Sequence, residues 1–107
     1  MISFEDFKKL DIRIGKVESA ERIPETDKLL KLSINFGEET RQIVSGIAEY
    51  ISESEIVGRS YPFIVNLEPR TIRGEESQGM ILAVGSDDGS FSLLEPSTEV
   101  KPGSKIR

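Results

Sequence analysis

The sequence contains no cysteine, no histidine and no tryptophan among its 107 residues. Without cysteine the chain has no disulfide framework, no thiolate nucleophile and no thiolate metal site. Without histidine it also lacks the usual proton shuttle near neutral pH and the commonest zinc ligand. Catalysis would depend on carboxylates, lysine and tyrosine alone, so these absences favour a non-catalytic protein. We predict no metal site and no cofactor.

Long hydrophobic runs are also missing. The chain is 36% hydrophobic and 31% charged, and the N-terminal residues Phe4, Phe7 and Leu10 are interleaved with charges. Neither a membrane span nor a signal peptide fits this pattern. Length and composition predict a single globular domain, residues 1–107, located in the cytoplasm and away from membranes.

An excess of positive charge is absent as well. Lysine and arginine total 14 against 19 aspartates and glutamates, which gives a net charge of -5. Proteins that bind nucleic acid without specificity are usually basic. A nucleic-acid site on this chain would therefore be a local basic patch on an acidic body, and its affinity would be limited.

Alternating hydrophobic residues predict an all-β fold. Strands are expected over residues 11–23, 28–36, 41–47, 60–66 and 80–84, with a short edge strand over 91–94. A helical turn is expected after Ser3, and a short helix between the third and fourth strands, where Ser52 and Glu55 form a capping-box pattern. A phase slip at Gly15 predicts a β-bulge. This layout matches an OB-fold, a five-stranded Greek-key β-barrel, although the pattern alone leaves another small barrel or a β-sandwich open.

The most informative segment is the polar connection formed by residues 66–80. It reads Asn-x-x-Pro-Arg from Asn66, followed by Gly-x-x-Ser-x-Gly-Met from Gly74. The segment combines two amides, two guanidinium groups, a serine and a methionine with three carboxylates. Guanidinium groups bind phosphate oxygens well, but the nearby glutamates compete for them.

These motifs, together with residues 4–15, 27–32 and 41–47, resemble the tRNA-binding domain appended to some methionyl-tRNA synthetases. The same domain occurs in small, free-standing, dimeric tRNA-binding proteins. The resemblance covers nearly the whole chain in the family's order. It implies an OB-fold homodimer that binds tRNA by shape and backbone near the outer corner of the L, without catalysis. Methionyl-tRNA synthetase is then a candidate partner.

The candidate tRNA-binding residues lie on the second and third strands and in the 66–80 segment. They are Lys28, Lys31, Ser33, Arg41, Asn66, Arg70, Arg73, Ser77 and Met80. Lys31 and Ser33 share the outward strand face with which OB-folds bind oligonucleotides. The resemblance also places Met80 at a position implicated in RNA binding.

Each candidate has a structural alternative. Arg70 and Arg73 could pair with the neighbouring glutamates, and Asn66 could hold a turn through its own backbone. Met80 could be an ordinary core methionine. Any single lysine could be solvated at the surface without binding RNA.

Apolar residues at the two ends of the chain are candidates for a dimer contact. They are Phe4, Phe7, Leu10, Val100 and Ile106. Packing against their own barrel is the equal alternative. Most aromatic residues fall on inward strand positions, so the sequence predicts no exposed platform for stacking bases.

Two rival functions are weighed against tRNA binding. Small secretion-associated chaperones resemble the same fold and dimerise similarly, so binding of unfolded polypeptide is the alternative function. Catalysis by the carboxylates Glu75 and Glu76 is disfavoured, because adjacent residues of an extended segment point apart.

Overall fold

The computed structural model describes the whole chain, residues 1–107. It contains two four-residue helices and nine strands. In chain order these are α1 (Phe4–Phe7), β1 (Ile12–Arg22), β2 (Leu30–Asn35), β3 (Thr40–Ser45), α2 (Glu53–Ile56), β4 (Ser60–Ile64), β5 (Arg70–Ile72), β6 (Glu75–Ser77), β7 (Met80–Ile81), β8 (Ala83–Gly85) and β9 (Phe91–Leu93). Neither helix has the length or the apolar character needed to cross a bilayer.

Five strands form an antiparallel sheet in the order β3-β2-β1-β4-β7. Within it, β4 returns to lie beside β1, which is the Greek-key order. The sheet curves until its edges meet, where the N–H of Gln78 donates to the carbonyl of Gln42 at 2.8 Å. The predicted fold class is therefore confirmed as a nearly closed five-stranded antiparallel barrel, with a short helix between the third and fourth strands.

Hydrophobic side chains of the strands fill the barrel interior, and on β2 they alternate with partly exposed residues. On β2, Leu30, Leu32 and Ile34 are buried, and the residues between them are partly exposed. Tyr61 and Phe63 of β4 are the largest fully buried side chains. Because burial of a side chain of this size contributes about 1.5–3 kcal/mol, this cluster stabilises the barrel on which the surface segments are built.

Both helices begin at the predicted capping serines. The Oγ of Ser3 accepts a hydrogen bond from the N–H of Asp6 at 3.1 Å. At α2, the Ser52 N–H donates to the Glu55 carboxylate at 3.1 Å, and the Glu55 N–H donates to the Ser52 hydroxyl at 3.3 Å. The hydrogen bonds that Ser52 donates lower the pKa of Glu55. The capping box predicted from the sequence is confirmed.

The bulge in β1 lies later than predicted. The register of β1 on β2 shifts between Val17 and Ser19 rather than at Gly15. Gly15 has a packing role instead, because a Cβ there would lie 2.4 Å from Ile34 and 2.6 Å from the ring of Phe36. Because residue 15 has no side chain, β1 can pack directly against the side chains of Ile34 and Phe36.

The strand predicted over residues 80–84 is divided in the structure. Its first part, β7, pairs with β4 in the barrel, whereas β8 pairs with β9 in a separate hairpin. The C-terminal tail adds one bridge to the barrel, between Arg13 and Lys105. The tail therefore lies beside the beginning of β1.

Candidate nucleic-acid interface

The polar segment predicted as a connection contains a β-hairpin. Strands β5 and β6 pair antiparallel around Arg73 and Gly74, whose φ angles are 53° and 80°. Two consecutive positive φ angles are typical of a type I′ turn, which matches the twist of paired strands. Glycine adopts this region freely, whereas arginine does so at a cost. The hairpin places Arg73 at its tip and Arg70 on its first strand, and both side chains are exposed.

Ser77 attaches the base of this hairpin to the barrel. Its side chain is buried, and its Oγ accepts a hydrogen bond from the Val44 N–H at 3.0 Å. The same hydroxyl donates to the carbonyl of Gly79 at 3.0 Å. Although the sequence predicted a hydroxyl that contacts tRNA, this hydroxyl is engaged within the chain and positions the hairpin.

Two glutamines that the sequence did not single out complete this attachment. The Gln42 side chain donates to the carbonyl of Glu76 at 2.9 Å, and the Gln78 side chain accepts from the N–H of Gln42 at 3.2 Å. Both bonds join segments that are distant in the chain. No local sequence pattern signals them, because they depend on the register between β3 and β6.

Gly79 allows the two edges of the barrel to approach closely. Its φ is +148°, and a Cβ there would lie 2.8 Å from the carbonyl oxygen of Ile64 and 3.1 Å from the Ile43 side chain. The glycine is followed by Met80, which pairs with Ile64 on β4 and is 42% exposed. The structure thus favours the surface alternative for Met80 over the core alternative.

Lys31 lies on the outward face of β2, as predicted, and contacts the hairpin. Its Nζ is 3.1 Å from a Glu21 carboxylate oxygen and 3.2 Å from one of Glu75. These two carboxylates, Glu21 first, raise the pKa of Lys31. Ser33 lies two residues further along the same face. The charge of Lys31 is therefore shared between two ion pairs.

Arg41 lies on a different face from Lys31. It is paired across the strands with the inward-facing Ile34, at the end of the barrel where β3 begins. Its guanidinium forms an ion pair with Glu39 and donates to the carbonyl of Val65. The structure does not bring Arg41 and Lys31 together, and it gives Arg41 a structural role in barrel closure.

Asn66 joins the end of β4 to the segment that precedes β1. Its Oδ1 accepts from the Asp11 N–H at 2.8 Å, and its Nδ2 donates to the Lys9 carbonyl at 2.7 Å. The structural alternative for Asn66 was a hydrogen bond to the backbone of its own turn. Asn66 does bond to backbone groups, but they belong to the segment before β1.

Half of the basic residues have no carboxylate oxygen within 4.0 Å. These unpaired cations are Lys16, Lys28, Arg70, Arg73, Lys101, Lys105 and Arg107. Three of them, Lys28, Arg70 and Arg73, are predicted tRNA-binding residues. Neither arginine of the hairpin therefore forms an ion pair with the neighbouring glutamates.

The hairpin tip and Lys28 lie at the same end of the barrel. Strand β6 runs antiparallel to β3, with Ser77 beside Val44, so the tip at Arg73 extends beyond the end of β3. Lys28 is also at this end, since its carbonyl accepts from the N–H of Ala48 just after β3 at 2.9 Å. Two of the unpaired cations, Lys28 and Arg73, are thus brought to one end of the barrel by the fold, although they are distant in the sequence.

Four of the five candidate dimer residues lie near the beginning of β1, whereas Val100 lines a surface pocket with Lys16 and Ser60. Helix α1 buries none of its residues, and Phe4 is 71% exposed. Leu10 and Val100 are also exposed, whereas Phe7 and Ile106 are partly buried. The N–H of Ile106 donates to the carbonyl of Ile12 at 2.8 Å, which brings the tail to the end of the barrel that α1 precedes.

The aromatic residues contradict one expectation. Tyr61 and Phe63 point inward, but Tyr50 is 55% exposed and lies parallel to Phe91, with ring centroids 4.1 Å apart. The two rings come from the loop after β3 and from β9. No alternation pattern in the sequence brings these two positions together.

The fold is thus a small, nearly closed, five-stranded antiparallel barrel that carries a surface hairpin with two unpaired arginines. The chain belongs to the putative tRNA binding domain family, whose model matches residues 12–105. The family resemblance predicted from the sequence is confirmed.

Sequence and structural similarity to three named proteins supports this assignment. The chain is 49% identical over 106 residues to a methionine–tRNA ligase of Bacteroides fragilis, an alignment that covers 99% of this chain and 16% of the ligase. It resembles the solved MetRS related protein from Pyrococcus horikoshii with a TM-score of 0.96 and 38% identity, over 100% of this chain and 98% of that chain. It also resembles the chaperone CsaA from Bacillus anthracis with a TM-score of 0.90 and 33% identity, over 100% and 99% of the two chains. The chain therefore spans only a small part of the curated ligase that it matches.

Proposed function

We propose that this chain is a non-catalytic domain that binds tRNA by its folded shape, near the outer corner of the L. The observation that carries the proposal is the hairpin β5–β6, which is attached to the barrel by Ser77 and presents Arg70 and Arg73 without carboxylate partners. Membership of the tRNA-binding family supports tRNA as the ligand.

Recognition depends on placement more than on total charge. The chain has a net charge of -5, so attraction over long distances is weak. Guanidinium groups at fixed positions still bind phosphates, and folded RNA is recognised mainly by backbone and shape. Met80 beside the hairpin adds an exposed thioether that can lie against a ribose or a base.

The proposal includes a homodimer that contacts through the apolar residues at the beginning of β1. Exposure of Phe4 and Leu10 supports this contact surface. Two copies of a weak site on one RNA give avidity that a single acidic domain lacks. We place the domain in the cytoplasm, as an auxiliary domain or subunit that assists methionyl-tRNA synthetase, because a methionine–tRNA ligase contains a closely similar segment.

Filter binding with folded tRNA and with a scrambled RNA of equal length tests this function. We expect tighter binding of tRNA, and we expect Arg70→Ala to weaken it and to reduce the salt dependence by about one counterion. Arg107→Ala, which removes an unpaired cation at the chain end, is the charge-matched control. Equal affinity for the two RNAs, or equal effects of the two substitutions, would contradict the proposal.

Similarity to the chaperone CsaA supports a second candidate function, the binding of unfolded polypeptide through exposed apolar surface. The two functions differ in a simple assay. A chaperone would suppress the aggregation of a denatured client protein at stoichiometric concentration, and Phe4→Ser would reduce that effect. Suppression without measurable tRNA affinity would favour this candidate over tRNA binding.

A further inference from the structure

Tyr50 and Phe91 form a layered aromatic stack that runs from the core to the surface. Their ring centroids are 4.1 Å apart and their planes are inclined by 11°. Phe91 packs against the hydrophobic core, whereas Tyr50 is 55% exposed. One face of the Tyr50 ring is covered by Phe91, and more than half of the Tyr50 surface remains exposed. We infer that this exposed part includes the opposite face of the ring.

Hydrogen bonds at Ala48 and Tyr50 hold the turn that carries the Tyr50 ring. The N–H of Ala48 donates to the Lys28 carbonyl at 2.9 Å, and Arg22 donates to the carbonyl of Ala48 at 3.1 Å. The N–H of Tyr50 itself donates to the carbonyl of Ile47 at 3.0 Å. A ring that is ordered before binding loses little conformational entropy when a ligand stacks on it.

The charged residues around the stack favour binding of a polyanion, although the net charge of the whole chain is -5. Lys28 and the hairpin tip at Arg73 lie at this end of the barrel without carboxylate partners. Two acidic residues near the stack are already paired, Glu53 with Arg22 at 3.1 Å and Glu95 with Arg59 at 3.2 Å. The carboxylate of Glu49 remains unpaired and opposes anion binding.

A cavity of about 250 Å³ lies beside the stack. Arg59, Ser92 and Glu95 line it together with Tyr50. Polar groups next to an open ring face suit a ligand that is planar and apolar on its faces but polar at its edges. A nucleobase with its ribose has this chemistry.

We propose that the open face of Tyr50 stacks on the base of an unpaired nucleotide in RNA, while Lys28 and Arg73 hold neighbouring phosphates. This inference rests on the tRNA-binding function proposed above and adds a base contact to it. Every base has a π-face, so such stacking tolerates any sequence. The contact would select RNAs that present an unpaired base at a fixed distance from the hairpin.

Fluorescence of a new tryptophan tests the contact directly. The chain has no tryptophan, so Tyr50→Trp introduces a single indole. We expect its emission to be quenched by tRNA, and more weakly by a short oligoadenylate. The matched control is Val57→Trp, at a position 41% exposed and next to Gly58, whose N–H bonds to Val17 in the middle of β1. Quenching at position 57 but not at position 50 would overturn the proposal.

Affinity measurements separate this inference from the function on which it rests. We expect Tyr50→Ala to weaken tRNA binding by about five- to 100-fold and Tyr50→Phe to leave it unchanged. If wild-type protein binds tRNA and Tyr50→Ala binds equally well, the stacking inference fails alone. If Tyr50→Ala instead changes the oligomeric state without changing affinity, the ring is a protein contact. If wild-type protein binds neither tRNA nor oligoadenylate, both proposals fail.

Discussion

The Nζ of Lys31 on β2 lies 3.2 Å from the Oε2 of Glu75 on β6, so an ion pair joins the outward barrel face to the hairpin. A second carboxylate, from Glu21 on β1, lies 3.1 Å from the same Nζ. This arrangement holds the hairpin in place, but it also reduces the charge that Lys31 offers to RNA. The two ion pairs of Lys31 therefore stabilise the position of the hairpin and at the same time weaken the attraction between Lys31 and RNA phosphates.

We predict that Glu75→Gln strengthens tRNA binding. The substitution releases Lys31 from one of its two carboxylates while a side chain of similar size remains. We expect affinity to rise by about two- to five-fold at low salt, with a steeper salt dependence. Glu38→Gln, at an exposed residue without an ion pair in the turn after β2, makes the same change in net charge. Equal gains from both variants would mean that total charge alone is responsible.

Arg73→Asn should separate stability from binding. Asparagine tolerates the left-handed backbone at the hairpin tip, and Asn-Gly is the preferred pair for a type I′ turn. We expect the free energy of unfolding to rise by about 0.5–1 kcal/mol in urea denaturation. The tRNA affinity should fall, because the guanidinium is lost. Arg73→Lys keeps the charge and is the control. If the Arg73→Asn variant is more stable and binds tRNA with unchanged affinity, Arg73 does not contact the RNA.

Ser77→Ala tests whether this serine positions the hairpin or touches RNA. The substitution leaves the buried N–H of Val44 without its acceptor, which should cost about 1–3 kcal/mol of stability. We expect faster amide hydrogen exchange in β6 and weaker tRNA binding at a temperature where the variant stays folded. If stability and exchange match the wild type while binding falls, Ser77 contacts the RNA directly.

Much of the fold could be predicted from local patterns. The alternation of Leu30, Leu32 and Ile34 specifies one buried face of a strand, and the Ser52–Glu55 capping box specifies a helix start. Both signals lie within a few residues of sequence. The local physics of strand pleating and helix capping is enough to produce them.

The candidate site was less predictable, because it depends on contacts between distant segments. The sequence indicated that Arg70 and Arg73 are exposed cations, but not that Ser77 bonds to Val44. Such bonds follow from the register with which β3 meets β6, and register is a property of the closed barrel. The Tyr50 stack was missed because Tyr50 lies in the loop after β3 and its partner, Phe91, lies in β9, far away in the sequence.

The buried phenol of Tyr61 predicts a specific decline of stability at high pH. Its hydroxyl is buried without a hydrogen-bond partner in the chain, and burial raises its pKa above the ordinary value. Below a pH of about 10, the phenol is protonated in both states and stability is unaffected. Above that pH the unfolded state loses the proton first, so the free energy of unfolding falls. The raised pKa of Lys31 acts in the same direction.

Tyr61→Phe should therefore reduce this alkaline decline. Urea denaturation at pH 7, 9 and 11 measures it, with Tyr50→Phe as a control in which an exposed phenol is removed. At pH 7 we expect the Tyr61→Phe variant to be at least as stable as the wild type, because no hydrogen bond within the chain is lost. A loss of more than about 1 kcal/mol at pH 7 would show that the hydroxyl has a bonded partner in solution. If the free energy of unfolding of Tyr61→Phe falls at high pH as much as that of the wild type, other titrating groups cause the decline, and Lys31 is the first candidate.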